Sequence, residues 1–267
     1  MKARGRLAVG LAAAASLTGC GPRDGAAAPT ERPGLSSAER AYRRPPAASA
    51  VTRLANGEVR IDGEALPGAR VRMATSAGQA TFAGAGADGH WRIFLPVAFQ
   101  PRLYGLSMVE GARSLQSEGY LVVTPQGLAA QLRAGAGALV LISGPPRPRL
   151  LAVDYDRKGG TVVSGQAARG ETVGLLVDGV SRGRLAPGAD GRFSMALDEP
   201  LAPGDHQFEI AGGRGRAFEI ASVTPAEPLA DGPFRASATT GGWRIDWMTP
   251  GGGVQTTLLL AKREAGA

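Results

Sequence analysis

Gly86-Ala87-Asp88-Gly89-His90-Trp91-Arg92-Ile93-Phe94-Leu95 decides the fold class. Asp-Gly before an alternating run marks a tight turn feeding a strand, because glycine accepts a positive φ that other residues resist. Trp91, Ile93 and Leu95 then fall on one face and Arg92 and Phe94 on the other, the period of two that a half-buried strand requires. The pattern returns 102 residues later as Gly188-Ala189-Asp190-Gly191-Arg192-Phe193-Ser194-Met195-Ala196-Leu197.

Working outward, the whole of 50–97 matches 152–199 without a gap. Gly57, Gly63, Ala65, Gly68 and Val71 pair with Gly159, Gly165, Ala167, Gly170 and Val173, and 12 of 48 positions are identical. Beyond one small gap, Val123-Thr124-Pro125 matches Val223-Thr224-Pro225. A fixed offset of this size marks a tandem duplication of a module near 100 residues. Further alternating runs, Val59-Arg60-Ile61, Val71-Arg72-Met73, Tyr120-Leu121-Val122-Val123 and Phe218-Glu219-Ile220, make each module a set of short strands. Leu128 to Leu132 also reads as strand. A hairpin closes each module: Ala130–Arg133 with Leu139–Ile142, and Trp243–Trp247 with Val254–Leu260. The expectation is all-β, two tandem Ig-like β-sandwiches, with 40 glycines supplying the turns.

The second module carries Gly165-Gln166-Ala167, Val173, Val177-Asp178-Gly179, Asp190-Gly191-Arg192-Phe193 and Leu201-Ala202-Pro203-Gly204-Asp205-His206. In these residues it resembles the bacterial Ig-like repeats of cell-surface and envelope proteins. The resemblance covers about 160–211 well and 57–97 less well, because the first module lacks the V-D-G and P-G-x-H elements. It implies a fold rather than an activity, and a carboxypeptidase-regulatory-like sandwich fits nearly as well.

The N-terminus points to a location. Lys2, Arg4 and Arg6 precede an apolar run from Leu7 to Leu17, too short to span a bilayer as a helix. Leu17-Thr18-Gly19-Cys20 follows and resembles the lipobox of bacterial lipoproteins. The resemblance implies cleavage before Cys20, lipid attachment to its thiol, and palmitate-type acylation of the new amino terminus. Several acyl chains anchor far more firmly than one. Cys20 is the only cysteine, so no disulfide competes for it. Gly21 rather than Asp at the next position favours the outer membrane by resemblance to enterobacterial sorting, with the modules facing the periplasm or the surface. Residues 21–49 hold Pro22, Pro29, Pro33, Pro45 and Pro46 among Ala, Gly, Ser and Arg. They read as a tether of on the order of 30 Å span. The segments are therefore 1–19 signal peptide, 20–49 tether, 50–146 first module, 147–151 Pro-rich linker, 152–262 second module and 263–267 tail.

Charge excludes one class of partner. The formal net charge is +7, but Lys2, Arg4 and Arg6 lie in the leader, and residues 50–267 hold 22 basic against 20 acidic residues. A nucleic-acid binder concentrates basic charge in its folded part; this chain does not.

Chemistry is sparse. There are two histidines, at non-equivalent repeat positions; His206 opens a strand after a turn and His90 flanks another. With the one cysteine assigned to lipid, no zinc site, catalytic set or cofactor motif is expected. Asp154-Tyr155-Asp156 at the module junction is the one pair of carboxylates placed to hold calcium, but two groups fall short of a full ligand set. Trp243, Ile245 and Trp247 share a strand face. Exposed, Trp243 and Trp247 would stack on sugars, peptidoglycan above all; buried, they are core. Arg244 and Asp246 fall on the opposite face, expected to be wet, and would pair weakly. The function expected is a non-catalytic structural or protein-interaction role in the envelope. Peptidoglycan binding through Trp243 and Trp247 is the alternative, and an envelope enzyme the remote one.

Overall fold

The computed structural model describes residues 43–142 and 145–260, and all regular structure among them is β-strand. Cys20, the leader, most of the tether and the tail lie outside the described residues. Ten strands form the first module: β1 (Ala47–Arg53), β2 (Val59–Glu64), β3 (Arg70–Thr75), β4 (Ala80–Gly84), β5 (His90–Leu95), β6 (Arg102–Glu110), β7 (Arg113–Gln116), β8 (Tyr120–Val123), β9 (Ala129–Leu132) and β10 (Leu139–Leu141). Ten more form the second: β11 (Arg149–Asp156), β12 (Thr161–Gln166), β13 (Val173–Val177), β14 (Val180–Leu185), β15 (Arg192–Ala196), β16 (Gly204–Gly212), β17 (Gly215–Val223), β18 (Phe234–Thr239), β19 (Gly242–Met248) and β20 (Val254–Leu260). The first strand of each module starts earlier than expected: β1 inside the stretch read as tether, β11 inside the stretch read as linker. Backbone pairing to β2 and β12 draws these residues into the sheets.

The repeat is a repeat of pairing. β1, β2, β5, β6 and β7 start 102 residues before β11, β12, β15, β16 and β17. Even a bulge recurs, between Ala48 and Ala50 on β1 and between Leu150 and Ala152 on β11. Sheet order is β1-β2-β5 and β10-β9-β8-β6-β3-β4 in the first module, with β7 also on β6. In the second it is β15-β12-β11-β20-β19-β18 and β14-β13-β16-β17. The gap in the sequence match also has a structural cause. β17 pairs with β16 without a break from Gly215 to Val223. Its counterpart is split into β7 and β8, whose registers on β6 are offset by the residues around Ser117 to Gly119.

The modules diverge after this point. β9 and β10 extend the β8 edge of one sheet, whereas β18, β19 and β20 cross over and extend the β11 edge of the other. Three cores then join the four sheets in series. Ile61, Trp91 and Ile93 pack against Val71, Met73 and Met108 inside the first module. Val153, Tyr155 and Phe193 pack against Leu175, Phe208 and Ile210 inside the second. The third core lies between modules: Leu103, Val122, Ala130, Leu132 and Val140 from the first meet Leu151, Ile245, Trp247 and Leu259 from the second. Sheets commonly leave one face wet; here each module covers a face of the other.

Candidate functional site

The aromatic face of β19 is not a surface. Trp247 is 0% exposed, its ring edge-on to Tyr120 of β8, with centroids 6.0 Å apart and planes at 81°. Its Nε1–H donates to Thr257 Oγ1 at 3.1 Å, which satisfies the indole where no water reaches. Trp243 is half-buried against the same core and donates from Nε1 to Gln126 Oε1 at 2.9 Å, again across the module boundary. Of the two readings left open for Trp243 and Trp247, core or sugar-stacking platform, the burial of Trp247 and the partial burial of Trp243 favour core. Trp247 fills the joint against the apolar residues Val122, Ala130, Leu132 and Val140 of β8, β9 and β10, with Trp243 packed at its margin.

The opposite face of β19 is not wet either. Asp246 is buried and accepts from Arg235 Nη2 at 2.8 Å, Arg244 Nε at 2.9 Å and Thr256 Oγ1 at 2.7 Å. Arg244 also reaches the Tyr155 hydroxyl at 3.0 Å and the Thr224 carbonyl at 2.8 Å. The weak surface pair expected of Arg244 and Asp246 is instead a cluster of two arginines on one buried carboxylate, and Arg235 on β18, half exposed, is the partner that sequence spacing missed. A cleft of about 590 Å³ opens beside it, lined by Phe218, Ile220, Thr239, Leu258 and Leu260, with Arg244 in its wall. With its donors spent on protein acceptors, Arg244 braces that wall rather than offering charge to a ligand.

Asp154 and Asp156 go separate ways. Asp156 caps the following turn, accepting from the Lys158 and Gly160 amides at 2.7 and 3.1 Å. Asp154 is buried at the joint and accepts from Ala138 N–H of the first module at 2.7 Å, from Gln255 Nε2 at 3.2 Å and from the Thr257 hydroxyl. Burial pushes its carboxyl up to about 6, against the pull of these three donors and of Arg133. The calcium reading loses its geometry, because the two carboxylates face different partners. No group of three or more His, Cys, Asp or Glu gathers at metal-binding distance among the described residues.

The loop that meets Asp154 is Arg133-Ala134-Gly135-Ala136-Gly137-Ala138, nearly devoid of side chains to recognise. The second module reads its backbone instead. Gln255 Oε1 accepts from Gly135 N–H at 3.2 Å, Ser194 Oγ donates to the Ala136 carbonyl at 2.9 Å, and Asp154 takes Ala138 N–H. Gly137 has φ +79°, and a Cβ there would sit 2.5 Å from Ser194 Oγ and 2.6 Å from Ser164 Oγ.

His206 is a brace of the second module. Its Nδ1 lies 2.7 Å from Asp178 Oδ2 and its Nε2 lies 2.8 Å from the Ala202 carbonyl. Both ring nitrogens face acceptors, which suits the doubly protonated ring. Burial alone lowers the imidazole pKa; the Ala202 carbonyl and the Asp178 carboxylate outweigh it and raise it above 6.5. The bond to His206, followed by that from the Gln207 amide, holds Asp178 below the usual carboxylate range. Asp178, at φ 53°, is the one non-glycine residue with positive φ among those described. The V-D-G and P-G-x-H elements are thus the two halves of one contact, and the first module lacks both together.

The linkage has a definite sign. A raised histidine stabilises below its unfolded value and loses that contribution as pH rises through the folded value. The depressed Asp178 stabilises above its unfolded value of 3.8 and loses the contribution in acid. His206→Gln is therefore expected to cost about 1 kcal/mol in urea unfolding at pH 5.5, falling toward zero by pH 8.5. A cost independent of pH would show that the imidazolium is not the stabilising form. His90, the other histidine, is exposed and flanks the Asp88 turn, where its amide donates to Asp88 Oδ1 at 3.0 Å.

No family model matches the chain, and no curated protein matches it. Among the solved structures to which the chain is similar in part are these two. One is described as a biofilm-associated protein, BSP domain, at 16% identity and a TM-score of 0.25, covering 69% of this chain and 30% of that one. The other is the central fibronectin-III array of RIM-binding protein, at 16% identity and a TM-score of 0.25, covering 83% of this chain and 88% of that one. This chain thus spans under a third of the length of the first. The strand pairing makes the chain all-β with two sandwich modules.

Proposed function

We propose that this chain is a bacterial envelope lipoprotein, held by lipid on Cys20, whose two β-sandwich modules act as one stiff, non-catalytic unit that presents a protein-interaction surface away from the membrane. The observation that carries the reading is the third core. Two modules joined only by a short linker would flex, whereas Trp247, Ile245 and Leu259 buried against Val122, Leu132 and Val140 lock them in one arrangement. Leu17-Thr18-Gly19-Cys20 supports the anchor and the Pro-rich 21–49 supports a tether that reaches beyond the headgroups. Peptidoglycan loses its candidate site with the burial of Trp247, so a protein partner is the reading retained.

The test is lipid attachment in cells. Fed an alkyne analogue of palmitate, bacteria expressing the chain are expected to label it and to carry it in the membrane fraction. Cys20→Ala is expected to abolish the label and move the protein to the soluble fraction. Membrane retention of the unlabelled variant would remove the anchor from this account. Cross-linking of the anchored form in cells then identifies the partner.

A further inference from the structure

We propose that Asp154 makes the joint between the modules proton-sensitive: protonation of its carboxyl tightens the docking of the 133–138 loop onto the sheet that contains β11 and β20, and ionisation loosens it. Four observations converge. Asp154 belongs to the second module, yet one of its oxygens is held by a backbone amide of the first, Ala138 N–H at 2.7 Å. The group is 1% exposed, so its charge is felt at the joint and not dissipated in water. Three neutral donors and the Arg133 charge favour the ionised carboxyl, but its burial outweighs them. Among the described residues, β20 and β12 present the neutral Gln255, Thr257, Val162 and Ser164. The charged groups nearby are Arg133, Asp156 on the same strand, and the Asp190–Arg192 pair, whose atoms lie 3.4 Å from each other. Arg133 is occupied within its own loop, donating to the Gly137 and Ala136 carbonyls at 3.0 and 3.2 Å. Finally, Thr257 links the carboxyl to the core of the joint, since its hydroxyl accepts from Trp247 Nε1 at 3.1 Å. A neutral Asp154 can donate to Thr257 Oγ1 in turn, because a hydroxyl both gives and accepts.

The direction follows from linkage. Burial places the carboxyl near 6 when docked, above its ordinary 3.8, so the docked state holds the proton more tightly than the undocked one. Docking is therefore strongest below about pH 4, weakens as pH rises through 6, and is flat above it. Between pH 7.5 and pH 5 the docking equilibrium is expected to change about tenfold.

The experiment is amide hydrogen exchange on the full chain in detergent, at pH 5 and pH 7.5, corrected for the intrinsic pH dependence of exchange. Peptides spanning 133–142 are expected to be about tenfold more protected at pH 5, while those covering β2 in the first core stay unchanged. Asp154→Asn keeps the shape without the titration and is expected to make protection of 133–142 independent of pH. A flat wild-type profile overturns the proposal. So does a change shared equally by β2, which would place the proton on global unfolding. An Asn variant that keeps the wild-type slope assigns the effect to another group and overturns it as well. If that variant does not fold, the wild-type comparison of 133–142 with β2 still decides. Lipidation at Cys20 plays no part in the readout, so failure here leaves the anchored-scaffold reading standing.

Discussion

Trp247→Ala is expected to destabilise the docked pair of modules by about 3–5 kcal/mol, the range for truncating a large aromatic in a core that cannot collapse. The side chain is wholly buried and contributes more than area. It meets Tyr120 edge-on and satisfies its indole N–H on Thr257, so truncation also leaves Thr257 and its link to Asp154 without a neighbour. The loss falls on the third core and on neither of the other two. Urea unfolding of the wild type is expected to be one transition. In the variant it is expected to split, with each module melting on its own core. The control is Trp243→Ala, whose ring is only half-buried at the margin of the same joint; it is expected to cost about 1–2 kcal/mol without splitting the transition. A Trp247→Ala protein that unfolds in one step at the wild-type midpoint would mean that the joint adds nothing to stability.

Gly165→Ala is expected to be as damaging, by crowding rather than by a cavity. A Cβ at Gly165 would stand 2.3 Å from Phe193 Cζ and 2.5 Å from the Arg149 carbonyl oxygen. Phe193 is its direct cross-strand partner on β15, and the ring lies over the glycine in place of a side chain. The first module repeats the device: Gly63 pairs with Trp91, and its Cβ would meet the indole at 2.2 Å and the Ala47 carbonyl at 2.3 Å. The aromatic could turn aside, but the carbonyl belongs to the β11 ladder and cannot move without breaking pairing. The expected loss is therefore about 3 kcal/mol or more, and adding Phe193→Ala should recover little of it. Gly170→Ala gives the comparison. That glycine has φ +74° with nothing within 4 Å of its Cβ, so its cost is conformational and about 1 kcal/mol. Equal midpoints for the two variants in thermal melts would refute the packing account of Gly165.

The strand runs were legible because their causes are local. Alternation in Val59-Arg60-Ile61 and Trp91-Arg92-Ile93, and glycines at the turns, specify a half-buried strand wherever they occur. The constant offset made the duplication visible. The gap after Gly89–Leu95 and its repeat was visible too, though not its form: the break of one long strand into β7 and β8. β18 escaped notice, since Phe234-Arg235-Ala236-Ser237-Ala238-Thr239 is weakly apolar and takes its register from β19. Of the candidate site residues, Arg244 and Asp246 were paired correctly but placed in water.

The sequence by itself determined an all-β chain of two related modules, their turns, and a basic, apolar, cysteine-ended N-terminus, because each of these depends on residues near one another along the chain. Tertiary structure decided what covers each strand face. Period two says that Trp243, Ile245 and Trp247 lie together, and it says the same of a sugar platform and of a core. Only the crossover of β18–β20 to the β11 edge, opposite to the path of β9 and β10, brings that face against Val122, Leu132 and Val140. The same crossover buries Asp154 under a loop lying 16 residues earlier in the chain. Burial, and with it the pKa of a carboxyl and the role of a tryptophan, depends on contacts between distant residues that no local pattern records.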